Sequence, residues 1–454
     1  MYGIYWLDVR KKEGRKATVS KMVQKKFVLN IRKRTAFECL TLWILIFPLF
    51  WGVFFDIFKL PSALKYTADV AWVLLLFAMI FKKQTRVKKD TLPLLILVLG
   101  LFVYVLAVYL FNFQSPLYFL WGVRNTFRYY VYFFAVINFF DKGDIKSVFR
   151  LFDVVFWLNT ALVLIQFFLL GYKGDYLGGV FGVQKGCNAY MIIFFCIVLG
   201  YSILNYMTQK ESLLLCMVKS FVVLVVSALA ELKVFFVLFI LILVLAALFT
   251  KFSWKSILLV VIVASFAFFA ISIMVEIFNV GGVFTLEGLW ELATQDNYSS
   301  KETVNRLSAI PTLSKLILTE PIDRIFGLGI GNCETSAFSF LNTPFYQQFS
   351  YLKYSWFSCA KLFLEIGYIG IIIYLAFFVV CFMLIWKNKK LYQSNSLNCQ
   401  MGMIMAIISV IMFFYNSSLH IESGYMVYFI LALAFVSNTS DDININNDRN
   451  VVNI

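Results

Sequence analysis

The chain has 454 residues, 61% of them hydrophobic and 19% aromatic against 14% charged. Soluble domains carry about a quarter charged residues, so this composition excludes a string of solvated globular domains and belongs in lipid. The formal charge of +15 does not point to nucleic acid, because the basic residues lie between long apolar runs and read as membrane topology.

A helical span needs roughly 20 apolar residues, and runs of that kind predict an all-α polytopic membrane protein with about twelve transmembrane helices. A basic cytosolic N-terminal segment, 1–35, carries eleven cations from Arg10 to Arg34, which hold it inside by the positive-inside rule. Nothing in it resembles a cleaved signal peptide. Transmembrane helices one to nine fill 36–278, at 36–58, 66–81, 92–111, 118–140, 148–170, 188–206, 212–230, 234–250 and 256–278. A large extracytoplasmic loop, 279–355, separates spans nine and ten. Spans ten to twelve, 356–386, 400–418 and 424–438, fill 356–438, and 439–454 reads as a disordered cytosolic tail. Alternation puts the basic stretches Lys82 to Lys89 and Lys387 to Lys390 inside with both termini, and 171–187 and 279–355 outside.

An ionisable side chain at a span's centre costs roughly 2.5–3.5 kcal/mol, so each needs a reason. Arg124 and Arg128 stand four apart on one face of the fourth span, below its outer end. Paired guanidiniums in an outward-opening cavity suit a phosphate or pyrophosphate, whose oxygens match the donor fork. The competing structural reading pairs them with buried acids such as Asp56, Asp69 or Asp153. Lys233, in the turn between spans seven and eight, reaches toward the same cavity or snorkels at a helix end. Lys361 and Glu365 are spaced for an intrahelical ion pair, and Lys219 reads as a snorkelling or buried structural lysine. His420 lies in the outward connection before the last span, with Glu422 as its neighbour or a competing base. One histidine, and eight cysteines without metal-ligand spacing, leave no metal motif. Cys187 and Cys333 fall in the two long outward loops, where an oxidising compartment would allow a disulfide.

Gly327-Leu-Gly329-Ile-Gly331-Asn332 lacks the strand and helix of a dinucleotide site. Its place in a longer order carries more. Asn305-Arg306-Leu comes first, then Glu320-Pro321, then the glycine run, then Leu364-Glu365-Ile-Gly367-Tyr-Ile-Gly370 at the start of the tenth span. Earlier stand Phe181-Gly to Asn188 and Ala230-Glu231-Leu-Lys233. From about Arg124 to Gly370 this order resembles the O-antigen polymerase and ligase superfamily of bacterial envelope glycan assembly. Ligases of that family carry a histidine about nine residues before the glutamate; here Trp356 and its neighbours occupy that place, which favours a repeat-unit polymerase.

The resemblance implies a glycosyltransferase of the bacterial cytoplasmic membrane, its active site facing outward. It would join undecaprenyl-pyrophosphate-linked oligosaccharides, one as donor and one as acceptor, to build O-antigen, capsule or exopolysaccharide. Arg124, Arg128, Lys233 and Arg306 would hold pyrophosphate or sugar, and Glu365 and His420 are the candidate catalytic groups. No cofactor is expected, and side-chain cations would stand where a metal ion otherwise would. Expected partners are the lipid-linked glycans, membrane lipid and a chain-length regulator, not nucleic acid. A ligase, or a lipid-linked glycan flippase or other transporter, is the alternative. The aromatic run from Phe338 to Trp356 would stack sugars or lie on lipid as a lid.

Overall fold

The computed structural model describes residues 2–5, 30–33, 35–81, 87–250, 265–266, 269, 271–272, 275–276, 303–336, 338–388, 396–436 and 451–452. Most of the predicted ninth span, residues 279–302 of the outer loop, and most of the basic N-terminal segment and the tail lie outside these residues.

The body is all-α. Its long helices are α1 (Ala36–Ile46), α2 (Thr67–Phe81), α3 (Leu92–Phe111), α4 (Pro116–Phe139), α5 (Lys142–Phe168), α6 (Asn188–Met207), α7 (Leu213–Leu229) and α8 (Lys233–Phe249). Short helices α9 (Ala309–Leu316), α10 (Pro321–Phe326) and α11 (Pro344–Phe349) belong to the long connection predicted to face outward, and α12 (Ser358–Asn388), α13 (Ser396–Tyr415) and α14 (Ser423–Leu433) follow. Two short antiparallel ladders, Tyr2–Tyr5 with Asn30–Lys33 and Val87–Lys88 with Val451–Val452, involve the chain ends. Among the described residues, six helices are long and apolar enough to cross a membrane, with shorter apolar helices at Ala36–Phe50, Leu213–Leu229, Lys233–Phe249 and Ser423–Leu433.

A helix apolar on all sides belongs inside a bundle or in lipid, and both cases occur here. α14 is buried at every position and packs on α4, α6 and α13. α3 instead turns Ile96, Leu99, Val103 and Leu110 outward, a face suited to lipid chains. Local chemistry sets the ends. Thr35 and Glu38 close a capping box at α1, which explains a buried acid at the predicted inner boundary. Asp141 and Ser212 cap α5 and α7. Past α1, Pro48 cannot donate to the helix ladder, and the chain passes through a 3-10 turn, Phe47–Phe50, into a π-helical stretch, Gly52–Ile57.

The connections predicted on one side of the membrane meet one another. Asp56 accepts from the Val183 amide at 2.8 Å, and Gln114 donates to the Ile330 carbonyl at 2.6 Å. Asn188 donates to the Ala230 carbonyl at 3.1 Å, and Tyr66 stacks on Phe338 at 5.3 Å. At the other end, Gln400 donates to the Phe249 carbonyl at 2.8 Å and Thr250 to the Met207 sulfur at 3.3 Å.

Candidate functional site

The gathered connections enclose a cavity of about 730 Å³. Its walls come from the π-helical end of the first span, the 171–187 connection, the α7–α8 turn, the segment around Arg306, Trp356 and Phe357, and the α13–α14 connection. Four cations line it, Lys65, Lys185, Lys233 and Arg306, with four carboxylates, Asp56, Asp175, Glu231 and Glu422. Aromatic rings stand beside the cations. Lys65 Nζ lies 4.8 Å from the Phe55 ring and 5.0 Å from Trp51, and Lys185 Nζ is 5.4 Å from Trp356. The Arg306 guanidinium is 4.5 Å from Tyr415 and 5.8 Å from Phe357.

Close backbone packing shapes this wall. A Cβ on Gly52 would stand 2.0 Å from the Gly182 nitrogen, so the first span and the 171–187 connection touch main chain to main chain. Asp56 then ties them, accepting from Val183 and, at 2.9 Å, from the Gln184 side chain. Cys187 sits beneath, its thiol directed at the Gly182 carbonyl at 3.2 Å. Burial, and next the Asp56 charge, push that thiol up to about 12, so it stays protonated and unreactive.

Of the predicted binding residues, Lys233 and Arg306 line the cavity, whereas Arg124 and Arg128 stand behind its wall. Arg124 pairs with Asp69 and lies over Trp121 at 4.7 Å. Arg128, almost fully buried, reaches Glu422 at 3.4 Å and Asp69 at 3.9 Å, and donates to the Tyr129 hydroxyl at 2.7 Å. The structural reading therefore holds for Asp69, while Asp56 and Asp153 serve elsewhere. Two guanidiniums face two acids, Asp69 and Glu422, in a half-buried cluster in which only Arg128 is fully enclosed. Lys233 pairs with Glu231 at 2.9 Å, and Lys219 pairs with Asp153 at 2.9 Å and Glu211 at 3.4 Å near the opposite end.

The glycine run is a strap. α12 breaks at Gly367 (φ 60°, ψ −167°), which frees carbonyls just before it. Leu328 and Gly329 amides donate to the Leu364 and Glu365 carbonyls at 2.8 and 2.9 Å, as an added strand would. Glu365, fully buried, accepts through Oε1 from the Gly331 and Cys333 amides at 3.1 and 3.3 Å. Gly331 (φ 85°) lies so close to α4 that a Cβ would stand 1.9 Å from the Tyr118 carbonyl. Only glycine fits such a left-handed contact. Glu365 thus anchors the strap and does not line the cavity. Its expected pairing with Lys361 is replaced by a Lys361–Glu334 pair.

His420 is also buried outside the cavity lining, with Nδ1 2.9 Å from the Ser358 hydroxyl and its ring stacked on Tyr374 at 5.4 Å. Burial, then the Lys361 and Arg128 charges, hold its pKa well below the usual histidine value, so the ring stays neutral. Cys187 and Cys333 are separate free thiols. Lys65, Lys185 and Asp175 also line the cavity and were not singled out from sequence, although all three stand in predicted outward connections, where an inventory of charges contains them. Of the aromatic run, Trp356 reaches the cavity, while Phe338 packs on Tyr66. No protein-family model matches the chain, and neither does any curated protein.

Proposed function

We propose that this chain is a twelve-span protein of the bacterial cytoplasmic membrane, with cytosolic termini, that joins lipid-linked oligosaccharide repeats on the outer face. The observation that carries the reading is the cavity: four cations, three of them beside aromatic rings, with four carboxylates, drawn from one end of the helices, in a volume of about 730 Å³. That volume lies within the range of ligand pockets and suits the reacting end of a lipid-linked glycan. Cations match its pyrophosphate, and Trp51, Trp356 and Tyr415 offer faces for sugar rings.

In this reading a sugar hydroxyl of the acceptor attacks the anomeric carbon of the donor, whose bond to the pyrophosphate oxygen breaks. Negative charge grows on the departing lipid pyrophosphate, and Lys233 and Arg306 stabilise it in a site already organised for it. Arg124 and Arg128 act one layer out, holding Asp69 and Glu422 in place. The resemblance to the O-antigen polymerase and ligase superfamily supports a polymerase of O-antigen, capsule or exopolysaccharide. A carrier would need charge along the whole translocation path, whereas the lining residues here belong to one end. The test is to supply purified protein in lipid vesicles with undecaprenyl-pyrophosphate-linked repeats: longer glycans support the reading, and transport without joining refutes it.

A further inference from the structure

Four carboxylates line the cavity, and three of them tie neighbouring wall segments or pair across a turn. Both oxygens of Asp56 accept from the 183–184 connection. Asp175 is exposed and accepts from the Asn188 amide group at 3.2 Å. Glu231 is paired with Lys233 across a turn in which its own backbone is left-handed (φ 57°). Glu422 differs. One oxygen accepts from the Tyr190 hydroxyl at 2.8 Å, and the other faces Arg128 at 3.4 Å. A carboxylate has about four acceptor positions, so sites remain for a ligand hydroxyl, and its side chain is 15% exposed toward the cavity.

The surroundings of Glu422 are rigid. Tyr129 donates to the Ile421 carbonyl at 2.9 Å, and Ser423 donates to the Ser418 carbonyl at 2.8 Å. Asn416 accepts from the Ser418 amide at 2.9 Å. A Cβ on Gly424 would stand 2.8 Å from the Leu419 carbonyl, so the connection has no slack. An acid placed in a ligand-sized cavity, on a turn held by hydrogen bonds at residues 416, 418, 421 and 423, is pre-organised for a reaction rather than for solubility.

We propose that Glu422 is the general base of the reaction, a role resting on the glycosyl-transfer reading above. As the acceptor oxygen bonds to the anomeric carbon, the hydroxyl proton passes to a remaining lone pair of the Glu422 carboxylate. The electron pair of the breaking carbon–oxygen bond leaves with the lipid pyrophosphate. Glu422 then returns the proton to water at the cavity mouth. Tyr190 and Arg128 are positioning residues, which orient the carboxylate through its other lone pairs.

The experiment compares wild type with Glu422→Gln and Glu422→Asp as full-length protein in vesicles with an undecaprenyl-pyrophosphate-linked repeat. Glycan lengthening and donor affinity from tryptophan fluorescence are measured. Glutamine keeps the shape and can still accept from Tyr190. Positioned bases contribute about 10²–10⁴-fold, so Glu422→Gln is expected to lose about 100-fold or more in turnover while donor affinity stays within about threefold. Glu422→Asp retains intermediate turnover. A smaller loss of turnover, or a loss of donor affinity equal to it, overturns the role. If wild type and Glu422→Gln lengthen the glycan alike, only the base assignment fails. If wild type binds the repeat and never joins it, the glycosyl-transfer reading fails and takes the base with it.

Discussion

Replacing Glu365 separates anchoring from chemistry, since this residue was one of two candidate catalytic groups from sequence and yet holds the strap. Its Oε1 accepts two amides, Gly331 at 3.1 Å and Cys333 at 3.3 Å, in a fully buried setting. Glu365→Leu leaves both amides without that acceptor, and a buried unsatisfied donor costs roughly 1–3 kcal/mol, so the loss is about 2–6 kcal/mol. Glu365→Gln keeps a carbonyl oxygen at the same place and is expected to lose little. Thermal unfolding in detergent, followed by intrinsic fluorescence, would show a midpoint several degrees lower for leucine and nearly unchanged for glutamine. Glycan lengthening by Glu365→Gln should stay within about threefold of wild type. A glutamine variant that unfolds like wild type but loses activity 100-fold would refute the anchoring role and return Glu365 to the chemistry.

Gly331→Ala forces a Cβ to 1.9 Å from the Tyr118 carbonyl at φ 85°. The left-handed backbone alone costs roughly 1–2 kcal/mol, so the fraction of monodisperse protein in detergent should fall sharply. Gly100→Ala, in a helical stretch of α3 where a Cβ meets nothing within 4 Å, should leave that fraction unchanged or raise it. His420, the chain's one histidine, is held neutral in the fold, so its folded pKa lies below its unfolded value. The unfolded chain then binds the extra proton first, and stability present above about pH 6.5 is lost as pH falls, by up to about 1.4 kcal/mol per pH unit. The unfolding midpoint should decline from pH 7.5 to 5.5 in wild type and decline less in His420→Gln. Equal slopes in the two proteins would contradict a neutral buried imidazole.

The helices were legible because a span writes itself into 20 or so consecutive apolar residues. α3, α6 and α13 begin or end within a few residues of the runs that predicted them. Pairing across the bundle was less legible. Arg124 lies 55 positions from Asp69 and Arg128 lies 294 from Glu422, separations on which local spacing is silent. The Lys361–Glu365 spacing suggested a local pair, but the break at Gly367 brings the glycine strap onto Glu365 and leaves Lys361 to Glu334. Cavity membership was legible for Lys233 and Arg306 and hidden for Lys65 and Lys185, since the lining residues come from separate connections or helix ends. The glycines from Gly327 to Gly367 serve in the structure as a packing device that lets main chains touch where the long connection meets α12.

On the proposal above, the cavity of four cations and four carboxylates holds lipid-linked glycan and joins it. The most direct measurement gives purified wild type, Lys233→Ala and Arg306→Ala a defined undecaprenyl-pyrophosphate-linked repeat in vesicles and resolves the products by length. The account predicts a ladder of longer glycans from wild type and only the starting repeat from the two variants, with all three proteins folded. Identical ladders from all three, or a wild type that leaves the repeat at its starting length, would contradict it.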